Sequence, residues 1–233
     1  MRRSLIITGV AATPRLFSYC IPYDDGAAPN PFWRICTLAI CKPVIRRVAS
    51  VGDWVIGTGC KEIGHERLVY AMKVTQKLSM ADYDEWTKTY CTGKVPSNKS
   101  TKHRKGDSIY DFQRLSGGLP SLRTGSVHTK GNRSTDLGGK TVLLSTHFYY
   151  FGRRAIPLPE ELLALVKNGR AHKSTSITPL LPAFLNWLES ARKFKLNHVY
   201  GNPSMWGEVH NCSCRVRASC AKQDEVIAGK KSA

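Results

Sequence analysis

The alternation of apolar runs and turn-forming clusters along the chain predicts a series of short β-strands. Each run is rich in β-branched and aromatic residues, and Gly, Pro, Asn or Asp stands near its ends. The run at 35–41 has Thr37 as its single polar break, so we expect it to be buried on both faces. The predicted strands cover residues 16–21, 35–41, 54–56, 68–74 and 141–151.

Three segments carry helix signals between these strands. The clearest begins at Ser79, where Ser-Met-Ala-Asp matches a capping box and predicts a helix to about residue 90. The others cover 159–168, opened by Pro159, and 182–194, where apolar residues repeat at helical spacing. Because the order lacks a regular βαβ alternation, we predict an α+β fold. It would have a mixed, curved β-sheet or small β-barrel flanked by two or three helices.

The pattern also predicts the domain organisation. Residues 16–202 are expected to form a single domain, and residues 203–233 an irregular, basic, cysteine-containing tail. Residues 92–140 contain ten Lys/Arg, eight Gly and three Asp with almost no apolar periodicity. They read as a basic insertion with a short ordered piece around residues 106–112, since a loop of this length is usually functional or disordered.

Charge adds a class of partner. The chain has 35 Lys/Arg against 17 Asp/Glu, a net charge of +18, and this favours polyanionic partners such as nucleic acid. A solvated surface that maintains solubility is the alternative. No apolar run reaches the length of a membrane span. Several of the eight cysteines, among them Cys36 and Cys41, lie in apolar runs, which indicates reduced thiols in a cytoplasmic protein.

The turn Gly52-Asp53-Trp54 opens one of the strands with a large ring. Glycine permits the turn, aspartate bonds the backbone ahead of it, and tryptophan could then lie at the rim of a barrel. A hairpin corner with a core tryptophan is the structural alternative. The longer sequence VGDWVIGTG resembles the Gly-Asp strand of PUA-like barrels (PUA, ASCH, YTH and EVE domains), in which the end of that strand lines a pocket.

A larger resemblance covers residues 19–159 and, more weakly, continues to 202. Four blocks, in the same order, resemble the second type of nucleotide modification associated domain, found near DNA-base modification genes in bacteria and phages. The resemblance implies an association with modified bases and no defined reaction. The blocks are YDDGAAPNPFWRICTLAICKPVIRRVASVGDWVIGTG, LVYAMKVTQKLSMADY, GDSIYDF and VLLSTHFYYFGRRAIPLP.

Recognition of a single base requires a stacking wall, groups that read the base edge, and cations for the flanking phosphates. The sequence supplies candidates for all three. For stacking they are Trp33, Trp54, Tyr149 and Tyr150; for edges Asp24, Asn30, Asp53, Thr58 and Ser145; for phosphates Lys42, Arg46 and Arg47.

Each candidate also has a structural interpretation. Strand aromatics usually belong to the core, Asn30 can simply form a turn, and the paired arginines can be solvated. Arg46 and Arg47 are adjacent on a predicted strand or turn, so we expect them to point apart and at most one to enter a pocket. His147, on an apolar strand, is more often a satisfied strand residue than a general base.

No cofactor and no metal are predicted. Walker, nucleophile-elbow, zincin and dinucleotide signatures do not occur in the sequence. Cys36 and Cys41 would face opposite sides of their run. The tail offers His210, Cys212, Cys214 and Cys220, but its Cys-x-Cys spacing is tighter than a zinc knuckle.

Three functions are compatible with these patterns. The first is recognition of a modified base or nucleotide in nucleic acid, most simply DNA, with residues 24–31 and the Gly52-Asp53-Trp54 turn at the pocket. The second is an enzyme that alters or removes a hypermodified base, with Asp24, Asp53 or Asp107 as acid or base; its catalytic residues are not assigned. The third is a PUA-like RNA-binding protein.

Overall fold

The computed structural model describes residues 13–60, 63–190 and 193–205. The helices in these ranges are α1 Pro43–Val48, α2 Met80–Tyr90, α3 Thr101–Arg104, α4 Arg133–Gly138 and α5 Leu181–Glu189. The strands are β1 Leu16–Ile21, β2 Cys36–Leu38, β3 Trp54–Gly59, β4 Arg67–Lys73, β5 Gln76–Ser79, β6 Tyr110–Ser116, β7 Leu119–Leu122, β8 Thr141–Ser145, β9 His147–Tyr150, β10 Ile156–Pro157, β11 His172–Lys173 and β12 His198–Val199.

The largest sheet has seven strands and is mixed. Its order is β11-β1-β3-β4-β9-β12, with β10 paired to β4. β1 and β3 run parallel, as do β9 and β12, whereas the other neighbours are antiparallel. Among the described residues, the two edge strands do not pair with each other, so the sheet does not close into a barrel. The α+β prediction with a mixed sheet is therefore confirmed, and its barrel alternative is not.

The apolar run at 141–151, predicted as one strand, supplies two different sheets. β8 joins β2 and β5 in a three-stranded sheet, and β9 joins the large sheet. The chain turns between them because the Ser145 hydroxyl donates to the carbonyl of His147 at 2.8 Å and accepts from its N–H at 3.1 Å. The Ser145 side chain thus takes the place of the backbone hydrogen bonds that would continue the strand.

Apolar side chains cover both faces of the seven-stranded sheet. Alternate residues of a strand point to opposite faces. Tyr19 and Tyr150 lie in the core that β2, α1 and β8 cover, whereas Trp54 and Tyr149 lie in the core that α5 covers. A third core contains Ile109 and other residues of the 92–140 segment, so this segment packs as part of the fold.

Two helices differ from the prediction and one matches it. Residues 43–48 are helical, although a strand or turn was predicted. Residues 159–168 form only a 3₁₀ helix, Glu160–Leu165. The helix predicted from Ser79 is confirmed as α2, because the Ser79 hydroxyl accepts the N–H of Asp82 at 3.0 Å.

None of the helices in the described ranges has both the length and the hydropathy needed to span a bilayer.

Candidate active site around Cys41

A cysteine, a histidine and an aspartate form a hydrogen-bonded chain, which we call the Cys41 site. The Sγ of Cys41 lies 3.5 Å from Nε2 of His128, and Nδ1 of His128 lies 2.6 Å from Oδ2 of Asp136. A nucleophile within reach of a base, with the base oriented by a third group, is the arrangement of nucleophilic catalysis. The three side chains can therefore activate a thiol.

The backbone at Cys41, whose thiol contacts His128, is strained. Cys41 has φ 57° and Lys42 has φ 39°, so two consecutive non-glycine residues adopt the left-handed region between β2 and α1. Such conformations cost free energy and cluster at functional sites. The Cys41 N–H donates to Oδ1 of Asp136 at 3.0 Å, which fixes the strained peptide against α4.

Asp136 is fully buried and accepts three hydrogen bonds. Besides Cys41 N–H and His128, the hydroxyl of Tyr110 donates to its Oδ2 at 2.9 Å. Burial alone would raise the pKa of this carboxyl, but the hydrogen bond and charge of His128, with the Cys41 N–H and Arg46, hold it below its ordinary value. Asp136 is therefore suited to remain ionised and to stabilise a protonated His128.

Arg46 holds the two halves of the site together. Its side chain is fully buried, with Nε donating to the carbonyl of Cys41 at 2.7 Å and Nη2 to the carbonyl of Asp136 at 2.5 Å. Nη1 donates to the carbonyls of Ala39 and Thr141. Because these carbonyls occupy the guanidinium, Arg46 positions the site and does not reach a phosphate. Arg47 points away, is exposed and donates to the carbonyl of Gly138.

Lys42, the residue after Cys41, lies over the ring of Tyr19. The Nζ of Lys42 stands 4.8 Å from the centre of the Tyr19 ring, and the hydroxyl of Tyr70 donates to that of Tyr19 at 3.0 Å. Burial, and then Tyr70, raise the pKa of Tyr19 well above its ordinary value. The Tyr19 hydroxyl therefore stays neutral.

Cys36 provides the contrast within the same fold. It is fully buried on β2, and burial raises the pKa of its thiol to about 12. A thiol in such surroundings is inert, because the thiolate is the reactive form. The five described cysteines thus differ in their surroundings, and among the described contacts Cys41 is the one that stands beside an imidazole nitrogen at hydrogen-bonding range.

The Cys41 site also contains ligand types that bind metals, with donor atoms all within 4.8 Å of one another. A catalytic zinc ion takes three protein ligands. Here His128 and Asp136 use one atom each on their mutual bond, and the other oxygen of Asp136 accepts from Cys41 N–H. Sγ of Cys41 and Nε2 of His128 face each other at 3.5 Å, so the described residues suit proton transfer better than metal binding. The tail ligands at 210–220 lie outside the described residues.

Asp24 and Tyr150 are brought together, away from a surface. The Tyr150 hydroxyl donates to Oδ2 of Asp24 at 2.5 Å, and Asp24 is 1% exposed. Burial raises the pKa of Asp24 to about 7, although the bonds from Tyr150 and the Gly26 N–H oppose this. Asp24 follows the end of β1, whereas Trp54 begins the parallel β3, so the two predicted pocket edges lie at opposite strand ends.

The remaining predicted site residues mostly serve the fold. Asn30 is buried, and its side-chain oxygen accepts a hydrogen bond from the ammonium of Lys94. Asp53 forms an ion pair with Arg15 at 2.7 Å. Trp54 packs edge-on against the rings of His147 and Phe184. Tyr149 donates to Glu189 at 3.4 Å, and Ser145 forms the β8–β9 turn. The hydroxyl of Thr58 is buried without a hydrogen-bond partner. Asp107 accepts from Thr37 and Tyr83.

Trp33 lies at a different feature, a cavity of about 300 Å³. Its ring is half-buried and stands 4.7 Å from the ring of His103, which lines this cavity. The indole Nε1 is buried and has no hydrogen-bond partner among the described residues. The combination of an aromatic ring and cations matches the stacking and phosphate elements of nucleic-acid binding. The cavity is lined by Lys88, Thr92, Val95, Ser97, Lys99 and His103.

His128 and Asp136 were not predicted from the sequence. Both lie in the segment interpreted as an insertion, and His128 is 87 residues from Cys41. No local pattern connects the three residues, because a thiol, an imidazole and a carboxylate at these separations meet only through the packing of α4 against α1. The strongest local signal was Cys41 itself, placed directly before Lys-Pro.

Comparison with protein families gives a match over most of the chain. The family model described as nucleotide modification associated domain 2 matches residues 13–210, a range that includes the whole Cys41 site. Neither the curated proteins nor the solved structures provided a match. Since the matched range covers most of the chain, this protein belongs to the nucleotide modification associated domain 2 family.

Proposed function

We propose that the protein is a thiol-dependent enzyme of nucleotide modification, with Cys41 as its nucleophile. The observation that carries this proposal is the chain from the Cys41 thiol through His128 to buried Asp136. Family membership supports a nucleotide as substrate. The chemistry that fits this site is attack on an electrophilic carbon, because the site offers a nucleophile beside a base.

The reaction that suits these groups is transfer or hydrolysis of an acyl substituent on a modified nucleotide. His128 takes the thiol proton, and the Cys41 sulfur forms a bond to the carbonyl carbon. The bond from that carbon to the nucleotide oxygen or nitrogen then breaks, and His128 returns the proton to this leaving atom. Water, deprotonated by His128, releases the acyl group as a carboxylic acid and restores the thiol. Asp136 orients the imidazole throughout.

A thiol nucleophile works only in its reduced state, so we place the enzyme in the cytoplasm.

The test measures how fast Cys41 reacts with iodoacetamide as a function of pH, with peptide mass spectrometry to assign the cysteine. We expect Cys41 to react at pH 6.5 well ahead of Cys36, and His128→Gln to slow it by roughly tenfold or more as its profile returns toward an ordinary thiol. His103→Gln, at the separate cavity, is the matched control. Identical profiles for His128→Gln and the unmodified protein would remove the proposal.

Turnover is then sought with nucleosides and oligonucleotides that carry acylated bases. Intact-mass measurement should detect a protein adduct equal to the acyl group, absent in Cys41→Ser.

A second candidate is recognition of a modified base in nucleic acid, most simply DNA, without turnover. The cavity beside Trp33 favours it, because two lysines and His103 line this cavity and the Trp33 ring lies against the ring of His103. In this case Trp33→Ala should lose binding of modified oligonucleotides while Cys41 alkylation stays unchanged. An enzyme that holds its substrate only at Cys41 should show no loss of binding in Trp33→Ala.

A further inference from the structure

Lys42 is a buried cation without a counter-ion. It is only 5% exposed, and its ammonium forms no ion pair or hydrogen bond with any residue in the described ranges. Its one close contact of this kind is the face of the Tyr19 ring, 4.8 Å from Nζ to the ring centre. A ring face attracts a cation but does not accept the three hydrogen bonds that an ammonium can donate.

Lys94 shows how the same fold treats a buried lysine with a structural role. Lys94 is fully buried, and its Nζ lies 2.8–2.9 Å from four oxygens, those of the Asn30 backbone, the Asn30 side chain, the Ile35 carbonyl and the Thr37 hydroxyl. Burial of a charge is costly unless it is paired or hydrogen-bonded. Lys94 obtains its hydrogen bonds from the chain itself, whereas Lys42 has no such partner among the described residues.

The described residues supply no counter-ion to Lys42. His172 pairs with Tyr19 across β11 and β1, and burial, followed by the charges of Lys42 and Lys167, lowers the pKa of its imidazole and so favours its neutral form. Among the described residues no carboxylate lies within ion-pair distance of Lys42. A buried ammonium one residue from the nucleophile, without an acid to pair with, favours an anion from outside the chain.

We infer that the Lys42 ammonium binds a phosphate group of the substrate and so places the nucleotide against the Cys41 thiol. This deepens the proposed function and rests on it. Lys42 directly follows Cys41 in the left-handed turn between β2 and α1, and its ammonium lies over the Tyr19 ring. The site would therefore prefer a phosphorylated nucleotide to a nucleoside. The phosphate belongs either to a free nucleotide or to the backbone of a nucleic acid.

Two alkylating reagents of nearly equal size test the subsite without knowledge of the substrate. Iodoacetate carries a carboxylate and iodoacetamide does not, and both attack thiolates. We expect the ratio of the iodoacetate rate to the iodoacetamide rate at Cys41 to fall by roughly tenfold in Lys42→Gln, the effect of one charge-assisted hydrogen bond. Lys193→Gln is the matched control, because Lys193 also lies over an aromatic ring, Phe194, but is exposed.

An unchanged ratio in Lys42→Gln, with Cys41 still fast toward iodoacetamide, would overturn the inference and leave the proposed function standing. A Cys41 that reacts slowly in the unmodified protein would instead overturn the proposed function. The rate ratio at Cys60, measured in the same digest, corrects for the net positive charge of the whole protein.

Protection of Cys41 in the unmodified protein provides a second measurement, which does not depend on the folding of any variant. A nucleoside 5′-monophosphate should slow iodoacetamide more than the matching nucleoside does. Equal protection by the two would count against the inference. Stronger protection by a short oligonucleotide than by the monophosphate would identify a backbone phosphate as the source, and the reverse order a free nucleotide.

Discussion

Arg46 and Arg47 are neighbours with opposite environments. Arg46 is fully buried and donates to four carbonyls from three parts of the chain, whereas Arg47 is exposed and donates to one. On a helix, the side chains of adjacent residues point about 100° apart, so one arginine of this pair enters the interior while the other faces solvent. The buried member connects the backbone of Cys41 with that of Asp136.

Replacement of Arg46 by Met should destabilise the protein by about 3 kcal/mol or more, because four carbonyls lose a buried donor. Arg47→Met, the matched control, should cost less than about 1 kcal/mol. Urea unfolding monitored by tryptophan fluorescence measures both. Equal losses for the two variants would contradict the structural role assigned to Arg46.

Asp24 gives a dependence of stability on pH. Its pKa in the folded protein is raised from 3.8 to about 7, chiefly by burial. Between these values the folded state binds the proton more tightly than the unfolded state, so this contribution is complete below about pH 4 and is lost as the pH rises through 7. In Asp24→Asn that loss disappears.

The free energy of unfolding of Asp24→Asn relative to the unmodified protein should therefore increase between pH 4 and 7, by up to about 1.4 kcal/mol per pH unit. Urea titrations at pH 5 and pH 8 provide the measurement. Parallel pH profiles for the two proteins would show that Asp24 titrates at its ordinary value.

At the scale of elements, short sequence patterns correctly predicted those strand and helix bounds that depend on neighbouring residues. β1 has the predicted bounds, and α2 begins at the predicted cap, because alternation and capping act within a few residues. α1 was predicted incorrectly as strand or turn: Val44, Ile45 and Val48 favour strands, but Pro43 opens a helix that the distant contacts of Arg46 hold in place.

The Cys41 site could not be predicted from such short sequence patterns. Asp24, Asn30 and the tryptophans were chosen for their proximity in sequence, and the fold distributes them between two sheet faces and a separate cavity. His128 and Asp136 became visible only through the contact of α4 with α1, which no short pattern encodes. Chemistry that depends on long-range packing is therefore the part that a single sequence predicts least.

At the scale of the whole molecule, the net charge of +18 predicts the behaviour toward nucleic acid. Binding of an oligonucleotide that contacts six or more phosphates should weaken by roughly a thousandfold between about 50 and about 200 mM salt, since bound cations are released from the backbone. Fluorescence anisotropy measures this, and an uncharged modified nucleoside serves as control. A flat salt response with the oligonucleotide would indicate that the positive surface does not contact the phosphates.

The Cys41 site takes its sulfur from the turn between β2 and α1, and its imidazole and carboxylate from a segment 87 or more residues later. In a nascent or partly unfolded chain these groups are apart, so the reactivity that we propose for Cys41 requires the later segment to be packed in place. The alkylation rate of Cys41 would therefore report whether that packing is complete.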